Sequence, residues 1–267
     1  MIPIKLKQLS NRHLHGFVVD LPLVKECFLS DNFSKVWIER QIIKQDAHRS
    51  VSILRFADDK EYLVKASENT YLNRCKIVLG VKPSGKTVLA RMLAIKAAGV
   101  SIPQPLASIV FASPESLELQ VMEYLPKAVT LHACITRLLN EDLSAINQLV
   151  QAVLSELVIL HRIGRIHGDM KLNNVILARD SIFLVDIDGR LAKKNGRLFQ
   201  KDLARFLVGL IEVKAPQEVC QSVVKAYAEA MDINDEVFFD GVRGFVKKIM
   251  KRHSMKNTNR PKNTATQ

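Results

Sequence analysis

The chain has 267 residues, 48% of them hydrophobic and 6% aromatic, and its mean hydropathy is close to zero at +0.04. That is enough length for one large domain or two lobes around a buried core, with no run near the eighteen apolar residues of a membrane span. The N-terminus, Met1-Ile2-Pro3-Ile4-Lys5-Leu6-Lys7-Gln8, has no apolar core of the signal-peptide kind, and Cys27, Cys75, Cys134 and Cys220 are scattered without a Cys-x-x-Cys pair, so free thiols in a cytosolic protein are expected.

Residues 1–30 are mixed in character and are set apart as an N-terminal extension. From Val36 the residues turn to strand patterns over Val36–Ile43, Val51–Phe56 and Glu61–Lys65, with a turn at Asp58-Asp59-Lys60. Residues 86–98 carry apolar Val88, Leu89, Met92, Leu93 and Ile95 at helical spacing, closed by Gly99. After Pro103 and Pro105 a strand pair leads to Leu119–Pro126. Beyond it the pattern is helical over about 130–140, 142–163, 199–213 and 216–231, interrupted at 166–189. Residues 31–125 thus read as a small antiparallel-sheet lobe with one helix, and 126–240 as a mainly helical lobe: an α+β, two-lobed plan. The net charge of +12 is concentrated at the end, in a basic helix and tail over 241–267. After Asp240 there is no acid but eight bases, which leaves about +4 for the rest. Phe245, Val246, Ile249 and Met250 among those bases form an amphipathic basic segment suited to an anionic membrane surface. The tail has few aromatics on which bases could stack, so nucleic acid is not expected as a partner.

The interruption holds the chemistry. Ile166-His167-Gly168-Asp169-Met170-Lys171-Leu172-Asn173-Asn174-Val175-Ile176-Leu177 is a loop running into an apolar strand, and Ile182-Phe183-Leu184-Val185-Asp186-Ile187-Asp188-Gly189 is an apolar strand ending in carboxylates. Gly-Asp and Asn-Asn are also ordinary turn formers, but turn chemistry does not call for Lys171 or the second carboxylate. Phosphoryl transfer does: Asp169 to accept the proton of an attacking hydroxyl, Asn174 and Asp186 to hold Mg²⁺ on the phosphates, and Lys171 to offset charge on the moving group. His-Gly-Asp-x-Lys-x-x-Asn followed by a strand and Asp resembles the catalytic and metal loops of the protein-kinase-like superfamily. The resemblance implies a two-lobed fold with ATP between the lobes. It also implies that Lys65, at the end of the third strand, contacts the α- and β-phosphates. Glu123-Tyr124-Leu125 matches the hinge, so the backbone at Glu123 and Leu125 would bond adenine. The Lys44–Ser50 turn would cover the phosphates, although it contains no glycine.

A competing motif stands at Gly80-Val81-Lys82-Pro83-Ser84-Gly85-Lys86-Thr87, which has Walker A spacing after the apolar run Ile77-Val78-Leu79. Alone it indicates a P-loop NTPase with Lys86 on the phosphates and Thr87 on Mg²⁺. Against it, the chain does not alternate strands and helices as a parallel sheet requires.

Lys96–Ala107, with its Gly99-Val100 and Pro103-Gln104-Pro105, resembles the corresponding passage of bacterial lipopolysaccharide core kinases, which phosphorylate heptose or Kdo sugars. So do 166–177, 185–189 and Lys201–Leu207. The likeness spans roughly residues 36–212. It implies an ATP- and Mg²⁺-dependent sugar kinase at the cytoplasmic face of the inner membrane, with an anionic glycolipid drawn to the basic tail. Small-molecule and protein kinases share much of this pattern. Asp188 is a second candidate metal ligand, two residues from Asp186 on the same strand face. One departure stands out: between Gly80 and Val110 there is no acid to pair with Lys65. A kinase-shaped binding protein is therefore the alternative. His161 is expected at a helix end as a cation, His167 as a buttress of the loop, and Trp37 in the core.

Overall fold

Strict alternation along Glu61–Glu68, where Tyr62, Val64 and Ala66 are buried and their neighbours half-exposed, builds a sheet strand with two unlike faces. The computed structural model describes residues 6–10, 14–19, 33–56, 60–68, 70–79, 83–111, 117–193, 196–234 and 236–258. It divides into two units, Met1–Pro126 and Lys127–Gln267.

The first unit is a seven-stranded antiparallel sheet. Its strands are β1 (Leu6–Ser10), β2 (Leu14–Val19), β3 (Gln41–Gln45), β4 (Arg49–Arg55), β5 (Glu61–Glu68), β6 (Pro105–Phe111) and β7 (Leu117–Glu123), in the order β1-β2-β6-β7-β5-β4-β3. Part of the segment read as an N-terminal extension therefore belongs to the sheet, because β2 pairs with β6 from Leu14↔Phe111 to Val18↔Ala107. Among the described residues three helices accompany the sheet, where one was expected: α1 (Phe33–Ile38), α2 (Tyr71–Val78) and α3 (Gly85–Ala97).

The expected strand at Val36–Ile38 is helical. Phe33 and Trp37, one helical turn apart, bury together with rings stacked at 6.5 Å, and that burial outweighs the β preference of Val36 and Ile38. They close one face of the sheet over Leu54, Tyr62, Val64, Leu119 and Val121. Helix α3 covers the opposite face, setting Leu89 and Leu93 against Val19, Leu6 and Phe17. With both faces covered, Ser52, Ile53 and Leu54 of β4 are buried consecutively. Helix α3 ends where expected, at Gly99 with φ +91°, and Lys96 Nζ donates to the Ile102 carbonyl at 2.9 Å.

The second unit contains β8 (Val129–Thr130), α4 (Leu131–Leu138), α5 (Leu143–Arg162), a 3-10 turn (Leu172–Asn174), β9 (Val175–Ala178), β10 (Ser181–Leu184), α6 (Arg197–Glu212), α7 (Gln217–Met231) and α8 (Glu236–Thr258). Helix α5 is capped by Asp142, whose side chain accepts from the Ala145 N–H at 2.9 Å. An 18-residue window of this 20-residue helix has a mean hydropathy of 1.6, so by length and composition it could cross a membrane, a feature not picked out along the sequence. Here it is the unit's central helix, with Ile146, Val150, Val153, Leu157 and Leu160 buried. The β9–β10 hairpin turns on Arg179 and Asp180, both left-handed at φ +49° and +56°.

Helix α8 packs along α6. Phe238 and Val242 are buried, and Phe245, Val246, Ile249 and Met250 are half-buried. The apolar stripe expected to face a membrane is thus occupied inside the unit, and the exposed side of the helix is basic. The remaining tail, including Arg260 and Lys262, lies outside the described residues, as do Cys27 and the Asp58-Asp59 turn. Cys75, Cys134 and Cys220 are free thiols.

Candidate active site

Residues 166–171 lie outside any regular element, and the backbone of Ile166, His167 and Gly168 is held by two neighbours. Residues 188–190 form one. Ile166 N donates to Arg190 O at 3.1 Å, Gly189 N to Ile166 O at 3.1 Å, and Asp188 N to His167 O at 2.8 Å. The other is Asp202 of α6, which is 1% exposed. Its carboxylate accepts from the His167 N–H at 2.7 Å and from the Gly168 N–H at 3.0 Å. Gly168 has φ +88°, and a Cβ there would lie 2.8 Å from that of Asp188, so only glycine fits the crossing.

On this frame Asp169 projects half-exposed among three partners. Lys171 Nζ lies 2.9 Å from Oδ2, and Arg205 Nη1 lies 3.5 Å from Oδ1. Asn174 Nδ2 donates to the Asp169 carbonyl at 2.9 Å and to Oδ2 at 3.2 Å. Partial burial pushes the Asp169 pKa up. The Lys171 hydrogen bond and charge, then Arg205 and Asn174, more than reverse this and hold the carboxyl below its usual range. Arg205 also donates to the Gly168 carbonyl, tying the loop to α6 a second time.

Asn174 is buried with its amide nitrogen committed to Asp169, which orients the amide oxygen away from these bonds. The second metal candidate is brought beside it by the backbone, since Val185 N donates to Asn174 O at 3.0 Å. Strand β10 ends at Leu184, and Asp186 beyond it is exposed and left-handed at φ +60°. Asp186 and Asp188 are therefore not alternate residues of one strand face. Asp188 is engaged by Arg190 Nε at 2.7 Å, which separates its role from that of Asp186. Among the described residues no group of three or more His, Cys, Asp or Glu forms a metal cage. An amide oxygen and a carboxylate suit Mg²⁺, a hard cation that fills its remaining positions with water and phosphate oxygens.

The two imidazoles are structural. His167 is fully buried, with Nδ1 facing the Asp169 N–H at 3.4 Å. His161, expected as a helix-end cation, is instead 0% exposed, stacked on Phe199 at 4.1 Å, and bonded to Tyr227 Oη at 2.7 Å and Asp202 at 3.5 Å. Burial pushes the pKa of both histidines down, with Asp202 partly opposing it. Asp202 and Arg205 carry the site's geometry, yet neither stood out as a site residue in the sequence.

The first unit holds the remaining candidates. Lys65 lies mid-strand in β5, three residues before its end, paired with Val51 and Gln120. Glu123 closes β7, where its N–H donates to Gln104 O at 2.9 Å and its Oε2 accepts from Gln104 N at 3.2 Å. Leu125 is buried. The loop between β3 and β4 is a tight Asp46–Arg49 turn. Of the Walker A motif, Gly80–Lys82 lie outside the described residues. Ile77 and Val78 are helical in α2, Val78 and Leu79 are exposed, and the sheet is antiparallel. Lys86 rests on the Phe17 ring at 4.8 Å, and Thr87 bonds to Ser84, the N-cap of α3. Residues 84–87 start helix α3, and the described residues before the motif form a helix and not the strand that a P-loop follows.

The described elements make a protein-kinase-like fold, with the Asp169 loop and the following Asp186 both in the second unit. A structure of WaaP in complex with acyl carrier protein superposes with a TM-score of 0.63 over 91% of this chain and 98% of that one, at 16% identity. The Mycobacterium tuberculosis PknI kinase domain aligns with a TM-score of 0.45 over 78% of this chain and 93% of its own, at 14% identity. By sequence, 112 residues, 42% of this chain, are 29% identical to a mitogen-activated protein kinase kinase kinase, mkh1 of Cytospora mali, and span 6% of that protein's length. No family model matches the chain.

Proposed function

We propose that this chain is an ATP- and Mg²⁺-dependent phosphotransferase that phosphorylates a sugar hydroxyl of lipopolysaccharide core, heptose or Kdo, at the cytoplasmic face of the inner membrane. The observation that carries the chemistry is Asp169, kept ionised and aimed by Lys171, Asn174 and Arg205 on a loop pinned by a buried carboxylate. The sugar is supported by the likeness of residues 96–107 and 201–207 to lipopolysaccharide core kinases. In this reading the acceptor hydroxyl hydrogen-bonds to Asp169, which takes its proton as the oxygen forms its bond to the γ-phosphorus. The bond from phosphorus to the β,γ-bridging oxygen breaks, and ADP leaves. Lys171 stabilises charge on the transferred group, and Lys65 binds the α- and β-phosphates. Asn174 and Asp186 would hold Mg²⁺, which when bound neutralises phosphate charge.

The helix α8 surface supports an anionic site of action through charge alone. Arg243 is engaged by Glu236 and Asp240, whereas Lys247, Lys248, Lys251 and Arg252 follow one another on the exposed side. Glutamate at these four positions should abolish binding to vesicles containing phosphatidylglycerol. Truncation at 243 would instead strip packing from α6. Vesicle binding retained by the quadruple variant would remove the membrane component. WaaP's acyl carrier protein makes a protein partner for the same stripe a second use worth assaying beside vesicles.

The test of the main reading is Mg·ATP turnover with a lipopolysaccharide core extract, followed by glycan mass. A gain of one phosphoryl group that is absent with Asp169→Asn supports it. Nucleotide binding without turnover on any glycan favours the kinase-shaped binding protein, for which the acid-free α3 is the specific observation.

A further inference from the structure

Helix α2 turns its apolar side outward. At about 100° per residue, Tyr71, Leu72, Cys75 and Val78 fall within about 120° of one another around the helix. Leu79, whose N–H still donates to Cys75 O at 2.9 Å, continues the stripe. Tyr71 is 79% exposed, Leu72 69%, Val78 86% and Leu79 75%, while Ile77 on the opposite side is half-buried. No described side chain of this helix is buried. A helix of eight residues does not persist in water on propensity alone, and β-branched Ile77 and Val78 weaken it further, so its apolar side calls for a cover.

We propose that α2 is an interfacial helix: Tyr71, Leu72, Val78 and Leu79 enter the headgroup layer of an anionic lipid bilayer and anchor the first unit there. The contact shares its lipid partner with the α8 surface but stands on different residues. It needs neither nucleotide nor an acceptor sugar, so it does not rest on the phosphotransferase reading.

Charge selects the occupant. From Asn69 to Pro114 there is no Asp or Glu, and there are six bases. With the eight after Asp240 these exceed the total of +12, so the rest of the chain is slightly acidic. The positive excess thus has two sources, and one of them carries the exposed stripe. Lys76, exposed at the border of the stripe, can lay its stem along the acyl boundary and keep its ammonium among lipid phosphates. Tyr71 has an apolar ring and a polar hydroxyl, the kind of side chain that settles at headgroup depth. A second copy of the chain would bring like charges to the contact. Four side chains on about two turns also fall short of the roughly 800 Å² that each partner gives to a stable protein interface. Binding to a bilayer sets no such footprint; it grows with the apolar area inserted plus the attraction to anionic headgroups. This reading gives a use to the run Ile77-Val78-Leu79, which stands where a P-loop would have its strand. The apolar stripe of α8 is taken up against α6, so α8 offers charge alone, whereas α2 offers both.

The test uses the full chain and vesicles of equimolar phosphatidylglycerol and phosphatidylcholine with brominated acyl chains. Tyr71→Trp places an indole in the stripe, while the native Trp37 is buried in the first unit and serves as the reference. Emission of the introduced indole should shift to the blue and be quenched by bromine; the unaltered protein should show neither change. Leu72→Ser combined with Val78→Ser and Leu79→Ser should weaken vesicle binding about tenfold or more in co-sedimentation. Its circular dichroism should match that of the unaltered protein, because the three side chains are exposed.

An introduced indole that stays unquenched while the protein co-sediments overturns the proposal and leaves the α8 contact standing. Quenching that persists with glutamate at 247, 248, 251 and 252 supports α2 as an anchor in its own right, whatever becomes of α8. A triple variant that binds vesicles as before but sediments as a smaller species assigns the stripe to a second copy and overturns the lipid contact. Should the triple variant not fold, the indole alone decides.

Discussion

The two units hold their candidate site residues by opposite means. In the second unit the stretch before and around Asp169 has no regular structure, so its backbone is held by specific partners: residues 188–190 on one side, and Asp202 and Arg205 of α6 on the other. In the first unit Lys65 needs no such partners for its backbone, because the ladder of β5 between β4 and β7 places it. Chemistry built on a loop therefore depends on a few buried side chains, whereas chemistry built on a strand depends on register. A single substitution should disable the first and barely disturb the second.

The sharpest break of this contrast is chemical. Asp169→Asn should lower turnover by about a thousandfold or more with the fold unchanged, since it removes the proton acceptor but keeps the shape. Full activity in this variant would end the phosphotransferase assignment.

Next comes Asp202→Ala, which strands the buried His167 and Gly168 amides and should cost the second unit about 3 kcal/mol. Trp37, the one tryptophan, sits in the first unit, so its fluorescence reports that unit while far-UV circular dichroism follows the mainly helical second one. The dichroism transition should move to lower urea and the fluorescence transition should stay. If both shift together, the units unfold as one and the contrast is one of site chemistry only.

Acid should have a related effect. His161 and His167 are neutral when folded, their pKa values pushed below the ordinary 6.5. As pH falls below that value the unfolded chain takes up protons first, so stability is full above about pH 6.5 and declines below it until the folded histidines also titrate. Urea midpoints by dichroism between pH 8 and about pH 5 test this; a flat profile would mean that the imidazoles are not held neutral.

The smallest effect is a gain. Replacing Arg179-Asp180 with Asn-Gly puts two residues that tolerate positive φ into the β9–β10 turn and should add about 0.5 kcal/mol. A loss there would show that the arginine side chain matters more than its backbone strain.

The sequence made the catalytic segment legible because its chemistry is local: Asp169, Lys171 and Asn174 fall within six residues, and Asp186 follows one hairpin later. Asp202 and Arg205 were hidden because they act on residues more than thirty positions earlier. The available signal was Asp202 itself, a lone acid on the buried stripe of Phe199, Leu203 and Phe206. His161 misled for the same reason: its place in the last turn suggested a solvated cation, while the flanking apolar run pointed inward. Helix α1 was missed because Val36-Trp37-Ile38 prefers a strand in isolation and only the joint burial of Phe33 and Trp37 decides otherwise. The apolar stripe of α8 was visible, but not what it packs against.

The pairing of β2 with β6 sets an order on biosynthesis. Residues 14–19 leave the ribosome before their partner strand, 105–111, which is translated some ninety residues later. At ordinary elongation speeds β1 and β2 wait roughly 5–20 s with an unsatisfied edge and an apolar face. During that interval the nascent chain is open to chaperones and to mispairing with neighbouring polysomal copies. Slow codons between β2 and β6 would lengthen that exposure, and yield of folded protein would then be limited by translation timing rather than by the stability of the finished sheet.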